Sequence, residues 1–395
     1  MSSRLSFNAP SALRGLALLT LCLAGAACGA ASDTVDPSST SASMEKTTTG
    51  APLPVGAGDP AVPTAPEGNL TASSGSTGAA ATPMPFRGVN LAGGEFGDVL
   101  PGTEGRDYRW PTHDEVDYYL SKGMNTFRVG FKWERLQPTA NGELEPAYLA
   151  KLDALVAYAT TQGAHVILNP HNFARYRGVP VGSAEVPATV FADLWRRLAL
   201  RYGPNAAIMF NLVNEPHDMP TEQWVASANA AIAAIRAAGA TNMIHVPGNS
   251  WTGAHSWAHT SSYGTPNAVA MLDIVDPADN MVFEVHQYLD TSSGGTSDQC
   301  VSETIGSERM ATFVDWLRKH GKKGFVGEFA GGRNPTCDAA VKDMLGSLMS
   351  ASDVIVGWQW WAAGPGWGSY PFSLEPTNGQ DQPQMSLLLP YLKKT

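Results

Sequence analysis

Four segments of this chain repeat one local pattern: an amphipathic helix, a glycine, and a short run rich in β-branched and aromatic residues. A glycine directly after a helix favours the left-handed backbone conformation that ends the helix. Each repeat therefore predicts a joint between a helix and a strand, and a chain built from such joints has an α/β fold. The predicted helix, glycine and strand of the four repeats are 118–122, Gly123 and 124–129; 149–162, Gly163 and 165–168; 224–238, Gly239 and 243–246; and 313–320, Gly321 and 324–327.

Four further apolar runs, at 86–91, 207–213, 281–285 and 353–358, bring the number of strand candidates to eight. Short buried strands that alternate with helices predict a parallel sheet. Eight such units in about 310 residues predict a closed (β/α)8, or TIM, barrel, whose usual size is about 250 residues plus insertions. An open doubly wound sheet is the alternative, but no G-x-G-x-x-G motif follows the first strand.

The aromatic residues divide the chain near residue 85. Phe7 is the only aromatic residue before Phe86, and all 11 Trp lie beyond that point. We therefore predict a single folded domain at 86–395. Residues 29–85 are nearly all Ser, Thr, Ala, Pro and Gly. Such a segment cannot bury enough apolar surface to offset the entropy cost of ordering, so it is predicted to be a disordered linker.

Residues 1–28 are typical of an export signal. They combine a basic start, an apolar stretch at 16–23 and small residues before Cys28. The apolar stretch is too short to span a membrane. The ending resembles the cleavage box of bacterial lipoproteins, in which Cys28 would carry the lipid; cleavage near Ala31 without lipidation is the alternative. In both cases we expect a secreted or cell-surface protein.

Cysteine content and charge agree with export and restrict the class of ligand. Cys300 and Cys337 are the only cysteines of the predicted domain. A lone pair in an exported protein predicts one disulfide, and two unpaired buried thiols are the alternative. The formal net charge of −10 argues against a surface that binds nucleic acid or other phosphates.

Polar and aromatic residues stand at the ends of the predicted strands, where barrels of this kind place their catalytic groups. They are Arg128, His171, Asn214, Glu215, His217, His286, Tyr288, Glu328, Trp360 and Trp361. Glu215 and Glu328 follow the fourth and seventh strands, so they are predicted to face each other across the mouth. Two facing carboxylates suit acetal hydrolysis, in which one protonates the departing oxygen and the other attacks or stabilises the sugar carbon. Taken singly, each residue is equally compatible with a salt bridge or with core packing.

The segment 208–219 contains Asn214-Glu215-Pro216, and six further blocks accompany it in the chain, at 88–93, 133–138, 247–257, 284–290, 323–332 and 360–365. Together these blocks resemble glycoside hydrolase family 5, in its fungal-type endoglucanase branch, subfamily 5. The resemblance covers about 86–392. It implies a retaining endo-β-1,4-glucanase, that is a cellulase, built on a TIM barrel and needing no cofactor or metal.

The resemblance also implies a role for each matching residue. Glu215 would be the acid/base and Glu328 the nucleophile. The supporting residues would be Asn214 on the sugar 2-hydroxyl, Arg128 and Tyr288 on Glu328, His286 beside Glu215, and His171 at the reacting sugar. Substrate contacts are expected from Trp361, Trp251, His255 and Trp367, with Trp257 as a further cleft candidate. The family's disulfide falls on Cys300 and Cys337.

The expected substrate is soluble or amorphous β-1,4-glucan or a cello-oligosaccharide, hydrolysed by a monomer. Three alternatives remain at this level. The first is a retaining glycosidase of the same fold that acts on mannan, glucomannan or mixed-linkage glucan. The second is a metallohydrolase that uses His171, Glu215, His217 and His286. The third is a lectin that binds glucan without cleaving it.

Overall fold

The computed structural model describes residues 84–259 and 263–392 of the chain. The predicted signal at 1–28, including Cys28, and nearly all of the predicted linker at 29–85 lie outside these residues. Within the described part of the chain, no helix combines the length and the apolar character needed to cross a membrane.

Eight parallel strands close into a barrel, as the spacing of the apolar runs predicts. They are β1 (Phe86–Leu91), β2 (Thr126–Phe131), β3 (His165–Pro170), β6 (Ile208–Asn211), β7 (Ile244–Pro247), β8 (Met281–His286), β9 (Gly324–Phe329) and β10 (Ile355–Ala363). Their order around the barrel is β1-β10-β9-β8-β7-β6-β3-β2, which excludes the open doubly wound sheet. Two short strands, β4 (Arg175–Tyr176) and β5 (Val179–Pro180), form an antiparallel hairpin beyond β3.

Helices separate the barrel strands. Those in the described residues are α1 (His113–Ser121), α2 (Trp133–Leu136), α3 (Pro146–Thr161), α4 (Ala188–Tyr202), α5 (Thr221–Ala237), α6 (Asn267–Ala270), α7 (Ile305–His320), α8 (Pro335–Ser350) and α9 (Met385–Leu392), with a short 3-10 helix at Met271–Asp273. The helix α1 begins five residues before its predicted start, because Thr112 and Glu115 form a capping box there.

The four predicted joints are confirmed. Gly123, Gly163, Gly239 and Gly321 have φ values of 94°, 83°, 84° and 61°. Each follows a helix and precedes a barrel strand, so these glycines lie at the N-terminal end of the barrel, which we call the base. The opposite end, where the strands finish, we call the mouth.

Side chains alternate along each strand between the layer under the helices and the barrel interior. In β3, Val166 and Leu168 belong to the large core shared with the helices, whereas Ile167 belongs to a separate apolar cluster. The other buried members of that cluster are Met209, Val282 and Phe325. Two residues further along β3, β6 and β8, the same alternation places Asn169, Asn211 and Glu284, all fully buried. The interior therefore changes from apolar to polar towards the mouth.

Candidate active site

Arg128 lies at the centre of a polar network near the mouth. The sequence pattern places it at the end of a strand, but β2 continues to Phe131, so that prediction is wrong. The side chain is almost fully buried and its guanidinium lies 3.3 Å from Glu284 Oε1. It donates hydrogen bonds of 2.8 to 3.1 Å to Asn90, Glu328, Asn211 and Asn214. A rigid fork of this kind fixes the positions of its acceptors.

Glu328 in β9 is the more buried of the two candidate catalytic carboxylates. Its Oε1 accepts a hydrogen bond of 2.8 Å from Arg128, and its Oε2 accepts one of 2.7 Å from the Tyr288 hydroxyl. Burial raises the pKa of Glu328 above its ordinary value, whereas the charges of His286 and Arg128 and the Tyr288 hydroxyl oppose that rise. The two donors therefore orient the carboxylate and favour its ionised form.

Glu215 follows β6 and is partly exposed. Its φ of 39° is uncommon for a residue other than glycine, and such positions cluster at functional sites. The His286 Nδ1 lies 2.6 Å from Glu215 Oε1. One oxygen of Glu215, one oxygen of Glu328 and a ring nitrogen of His286 all lie within 4.8 Å of one another. This separation is near the short carboxyl spacing of retaining glycosidases and well below the roughly 6.5–9.5 Å of inverting ones.

His286 in β8 carries a positive charge at neutral pH. Burial alone would lower its pKa, but Glu328, Glu215 and Glu284 raise the pKa of His286 to about 9. Its Nδ1 lies between the two candidate catalytic carboxylates, 2.6 Å from Glu215 and 3.5 Å from Glu328. The imidazolium therefore donates to Glu215 and partly neutralises two carboxylates that would otherwise repel each other.

Sequence reasoning missed Glu284 and His245 as members of the site. Glu284 Oε2 lies 2.9 Å from His245 Nδ1, and its Oε1 lies 3.4 Å from His286 Nε2. Burial by itself would raise the pKa of Glu284, but Arg128, His245 and His286 hold it well below its ordinary value. The signal available in the sequence was alternation, since Glu284 and His286 are two residues apart in one strand and so share the interior face.

Asn214 and His171 belong to the hydrogen-bond network of Arg128, Asn214 directly and His171 through Asn169 and Asn211. Asn214 Oδ1 accepts from Arg128 at 2.8 Å, which leaves its amide nitrogen for a ligand. His171 Nδ1 lies 3.0 Å from the Asn169 side-chain amide. Burial, followed by the charges of Arg128 and His286, lowers the pKa of His171 well below its ordinary value. His171 is therefore a neutral, polar ring facing the mouth.

Three of the predicted aromatic residues line the mouth. Trp361 is partly exposed and its ring lies 5.5 Å from the His171 ring and 5.6 Å from the Trp367 ring. Trp251 is 43% exposed and stacks on His217 at 4.4 Å with an interplanar angle of 7°. Flat, partly exposed rings held by other rings are suited to stacking against sugars.

The two remaining predicted cleft residues, Trp257 and His255, lie in the loop that follows β7. Trp257 is fully buried, with its ring 4.9 Å from Phe313 and 5.2 Å from Trp316, so the prediction that it is open in the cleft is wrong. His255 is partly buried, and its backbone N–H donates to Gln287 Oε1 at 2.9 Å. Burial lowers the pKa of His255. No hydrogen bond joins His255 to either candidate catalytic carboxylate in the described part of the chain.

The predicted disulfide between Cys300 and Cys337 is present and closes a 37-residue separation. It lies at the end of a loop that follows β8 and covers Tyr288. A Cβ atom added at Gly295 of this loop would lie 2.7 Å from the Tyr288 ring. The Asp290 carboxylate accepts from the backbone N–H groups of Gly295 and Thr296. The loop therefore has its own hydrogen-bonded frame beside the disulfide.

The four residues of the metallohydrolase alternative do not form one cluster. His217 stacks on Trp251, and its Nδ1 lies 2.8 Å from Asp218. The compact group of ligand atoms in the described residues is instead Glu215, His286 and Glu328. Two carboxylates on either side of one imidazole are also groups that general acid–base catalysis uses. We therefore interpret this group as an acid–base cluster.

The sequence matches the family "Cellulase (glycosyl hydrolase family 5)" over residues 78–364. This chain belongs to glycosyl hydrolase family 5. The probable endo-beta-1,4-glucanase B of Aspergillus kawachii is 44% identical over 294 residues, which are 74% of this chain and 85% of the relative. The endo-beta-1,4-glucanase B of Emericella nidulans is 44% identical over 296 residues, or 74% of this chain and 87% of the relative.

Solved structures of family 5 proteins have the same barrel. XacCel5A, determined in complex with cellopentaose, has 45% sequence identity and a TM-score of 0.77, covering 78% of this chain and 99% of that one. An endo-beta-1,4-glucanase from Xanthomonas axonopodis pv. citri has 49% identity and a TM-score of 0.76, covering 78% and 98%. The family 5 resemblance inferred from the sequence blocks is confirmed, and the chain is a glycosyl hydrolase.

Proposed function

We propose that this chain is an endo-β-1,4-glucanase that hydrolyses internal bonds of β-1,4-glucan by a retaining, double-displacement mechanism. The activity is supported by family 5 relatives named endo-beta-1,4-glucanase at 44% identity. The mechanism is supported above all by one observation, the pair of carboxylates Glu215 and Glu328 whose nearest oxygens lie within 4.8 Å across His286.

In the first step, the Glu328 carboxylate attacks the anomeric carbon of the sugar whose glycosidic bond is cleaved. The bond from that carbon to the glycosidic oxygen breaks as Glu215 gives its proton to the oxygen of the departing chain. Arg128 and Tyr288 hold the attacking carboxylate in position at 2.8 and 2.7 Å. The product is a covalent glycosyl ester on Glu328, with Glu215 now a carboxylate.

In the second step, Glu215 takes a proton from water as the water oxygen attacks the same carbon and releases Glu328. Esterification removes the negative charge of Glu328 from the cluster, so a Glu215 carboxylate no longer faces a second one. The His286 imidazolium at 2.6 Å stabilises that carboxylate until it accepts the proton. Two displacements at one carbon retain its configuration.

The walls of the mouth fit a sugar chain. Trp361 would stack on the reacting sugar, and the Asn214 amide would donate to its 2-hydroxyl, a contact that strengthens in the transition state. Trp251 and Trp367 extend the aromatic surface on either side, and neutral His171 contributes a polar group without charge. A neutral glucan needs contacts of this kind rather than a charged surface.

The remaining assignments concern the whole chain. We infer a signal at 1–28, a linker rich in Ser, Thr, Pro, Gly and Ala at 29–85 and a catalytic domain at 86–395, with the enzyme secreted or held at the cell surface and active as a monomer. Fatty-acid labelling in the native host would distinguish lipidation of Cys28 from cleavage near Ala31.

Initial rates on carboxymethyl-cellulose, lichenan and glucomannan test the substrate assignment. We expect substantial rates on the first two. Negligible hydrolysis of both, with rapid hydrolysis of glucomannan, would favour the mannan alternative. Binding to cello-oligosaccharides without shortening them would favour the lectin. Proton NMR of the first product formed tests the mechanism, because a retaining enzyme releases the β-anomer first.

A further inference from the structure

One fully buried carboxylate, Glu284, takes no part in the proposed making and breaking of bonds. It lies inside the barrel below the two candidate catalytic carboxylates, with His245 of β7 on one oxygen at 2.9 Å. Its other oxygen lies 3.3 Å from Arg128 and 3.4 Å from His286. A buried charge is costly unless it is paired. The three cationic or donor groups around Glu284 therefore compensate its charge and hold it in the ionised form.

The neighbouring strand makes room for this carboxylate. Gly327 of β9 faces Glu284, and a Cβ atom there would lie 2.5 Å from the Glu284 carboxyl carbon. Any larger residue at this position would displace Glu284 from its contacts. The space that Glu284 occupies therefore requires a glycine at position 327, independently of the charges. Gly327 also lies next to the candidate nucleophile in the sequence.

The charges around Glu284 determine the state of His286. Titratable or charged groups face Glu284 from its own strand (His286), from β7 (His245) and from β2 (Arg128). The His286 ring is faced in addition by Glu215 after β6 and by Glu328 of β9. An ionised Glu284 can only accept hydrogen bonds. A proton on His286 Nε2 is therefore favoured by Glu284, just as a proton on Nδ1 is favoured by Glu215 on the opposite side of the ring.

We propose that Glu284 is a positioning residue for the acid/base, with His245 as its support. Its negative charge keeps both ring nitrogens of His286 protonated, so that His286 donates to Glu215 while Glu215 alternates between acid and carboxylate. His245 donates its Nδ1 hydrogen to Glu284 and holds the carboxylate against the ring. This inference rests on the proposed function, because it assigns the acid/base role to Glu215.

Glu284→Gln is the principal test, since it keeps the shape of the side chain and removes its charge. Without that charge every nearby group holds its proton less tightly. The whole profile of kcat/KM against pH should therefore move to lower pH, by about 1 unit or more. We expect kcat to fall about 10- to 100-fold, part of the 10²–10⁴ supplied by acid–base catalysis, with KM nearly unchanged. Glu284→Asp, which restores the charge, should return the profile towards its original position.

Asp276→Asn is the matched control. Asp276 is also a buried carboxylate paired with an arginine, Arg236, at 2.7 Å, but it precedes β8 and so lies at the base of the barrel. This variant should lose stability and leave both limits of the pH profile in place. A Glu284→Gln profile with unmoved limits would overturn the inference, since loss of packing alone lowers activity without shifting them.

A second measurement does not depend on activity or on any change at Glu284. In ¹⁵N-histidine-labelled wild-type protein, NMR should show both His286 nitrogens protonated at pH 7, with the signal assigned through His286→Gln. A neutral His286 at pH 7 would overturn the inference even in an active enzyme. Absence of hydrolysis by the wild-type protein on every glucan would instead contradict the proposed function and leave the NMR result standing.

Discussion

The mouth and the base of the barrel both join strands to helices, but they do so with different residues. At the base, Gly123, Gly163, Gly239 and Gly321 occupy the left-handed backbone positions. Among the described residues, 12 positions other than glycine have a positive φ, and of these only Asp279 lies at the base. Glycine adopts this conformation without strain, whereas other residues carry a cost. The chain thus accepts backbone strain at the mouth and avoids it at the base.

Buried charges show the same difference. At the base, Asp276 is paired with Arg236, and its remaining capacity is taken up by backbone N–H groups of Ala278 and Asn280. At the mouth, Arg128 is shared among several acceptors and His286 lies between two carboxylates. The fully paired Asp276 and Arg236 stabilise the fold, whereas the groups around Arg128 and His286 share partners and can exchange protons. Substitutions at the mouth should therefore change activity first, and those at the base stability first.

The largest expected effect is that of Glu328→Gln. The variant keeps the hydrogen-bonding shape but cannot form the glycosyl ester, so kcat should fall about 10⁴-fold or more. Because burial raises the pKa of Glu328, the fold gains little from this charge, and the free energy of unfolding should stay within about 1 kcal/mol of wild type. Turnover of carboxymethyl-cellulose tests the expected fall in kcat, and denaturant unfolding tests the expected stability.

Binding separates this result from general damage. Calorimetric titration with a cello-oligosaccharide should give a similar affinity for wild type and Glu328→Gln, since the aromatic walls are unchanged. Substantial residual hydrolysis would remove Glu328 from the nucleophile role. Loss of binding together with turnover would mean that the mouth had been rearranged.

The disulfide tests the contrast between mouth and base, because Cys300 and Cys337 lie on the mouth side but carry no reacting group. Replacing both by alanine should lower the free energy of unfolding by roughly 3–4 kcal/mol through loop entropy. The rate per folded molecule should stay near wild type, since Asp290 holds the covering loop through backbone hydrogen bonds. A large drop in kcat under native conditions would show that the position of Tyr288 depends on the disulfide.

Tyr288→Phe tests a single contact at the mouth. It removes the hydroxyl that donates to Glu328 at 2.7 Å, and loss of one such donor should lower kcat about 10²-fold. That hydroxyl lowers the pKa of Glu328, so without it the pKa rises and the acidic limit of kcat/KM moves to higher pH. The direction is opposite to that expected for Glu284→Gln, which makes the two profiles a mutual control.

The parts of the fold that depend on local chemistry could be predicted from the sequence. The four glycines with positive φ follow from the need to end a helix, and the strands follow from short apolar runs. Arg128 was misplaced because a strand's end is set by its pairing with neighbours: β2 pairs with β3 up to Phe131. Nothing near Arg128 in the sequence carries that information.

The resemblance assigns roles to single residues of its blocks, but it gives no role that depends on contacts between strands, even for residues inside those blocks. Glu284 and Gly327 act together although they are 43 residues apart, and only the barrel brings them into contact. Trp251 and Trp257 occur in one block, yet one is exposed and the other buried. The path of their loop, which includes positive φ at Ser250, Trp251 and Thr252, decides this, and residue types alone do not encode it.

The smallest effect expected is that of Gly163→Ala at the base. Its φ is 83° and a Cβ atom would meet no other atom within 4 Å, so the cost is backbone strain alone. The free energy of unfolding should fall by about 1 kcal/mol.

Gly346→Ala is the matched control. Gly346 lies in α8, has equal space and lacks a positive φ, so this variant should be more stable by about 0.5–1 kcal/mol. Gly163 leads directly into β3, which ends beside His171 at the mouth. Unchanged kcat in both variants would therefore show that one strand can carry strain at its start without moving the site at its end, whereas a drop for Gly163→Ala alone would show that the two ends of the barrel are coupled.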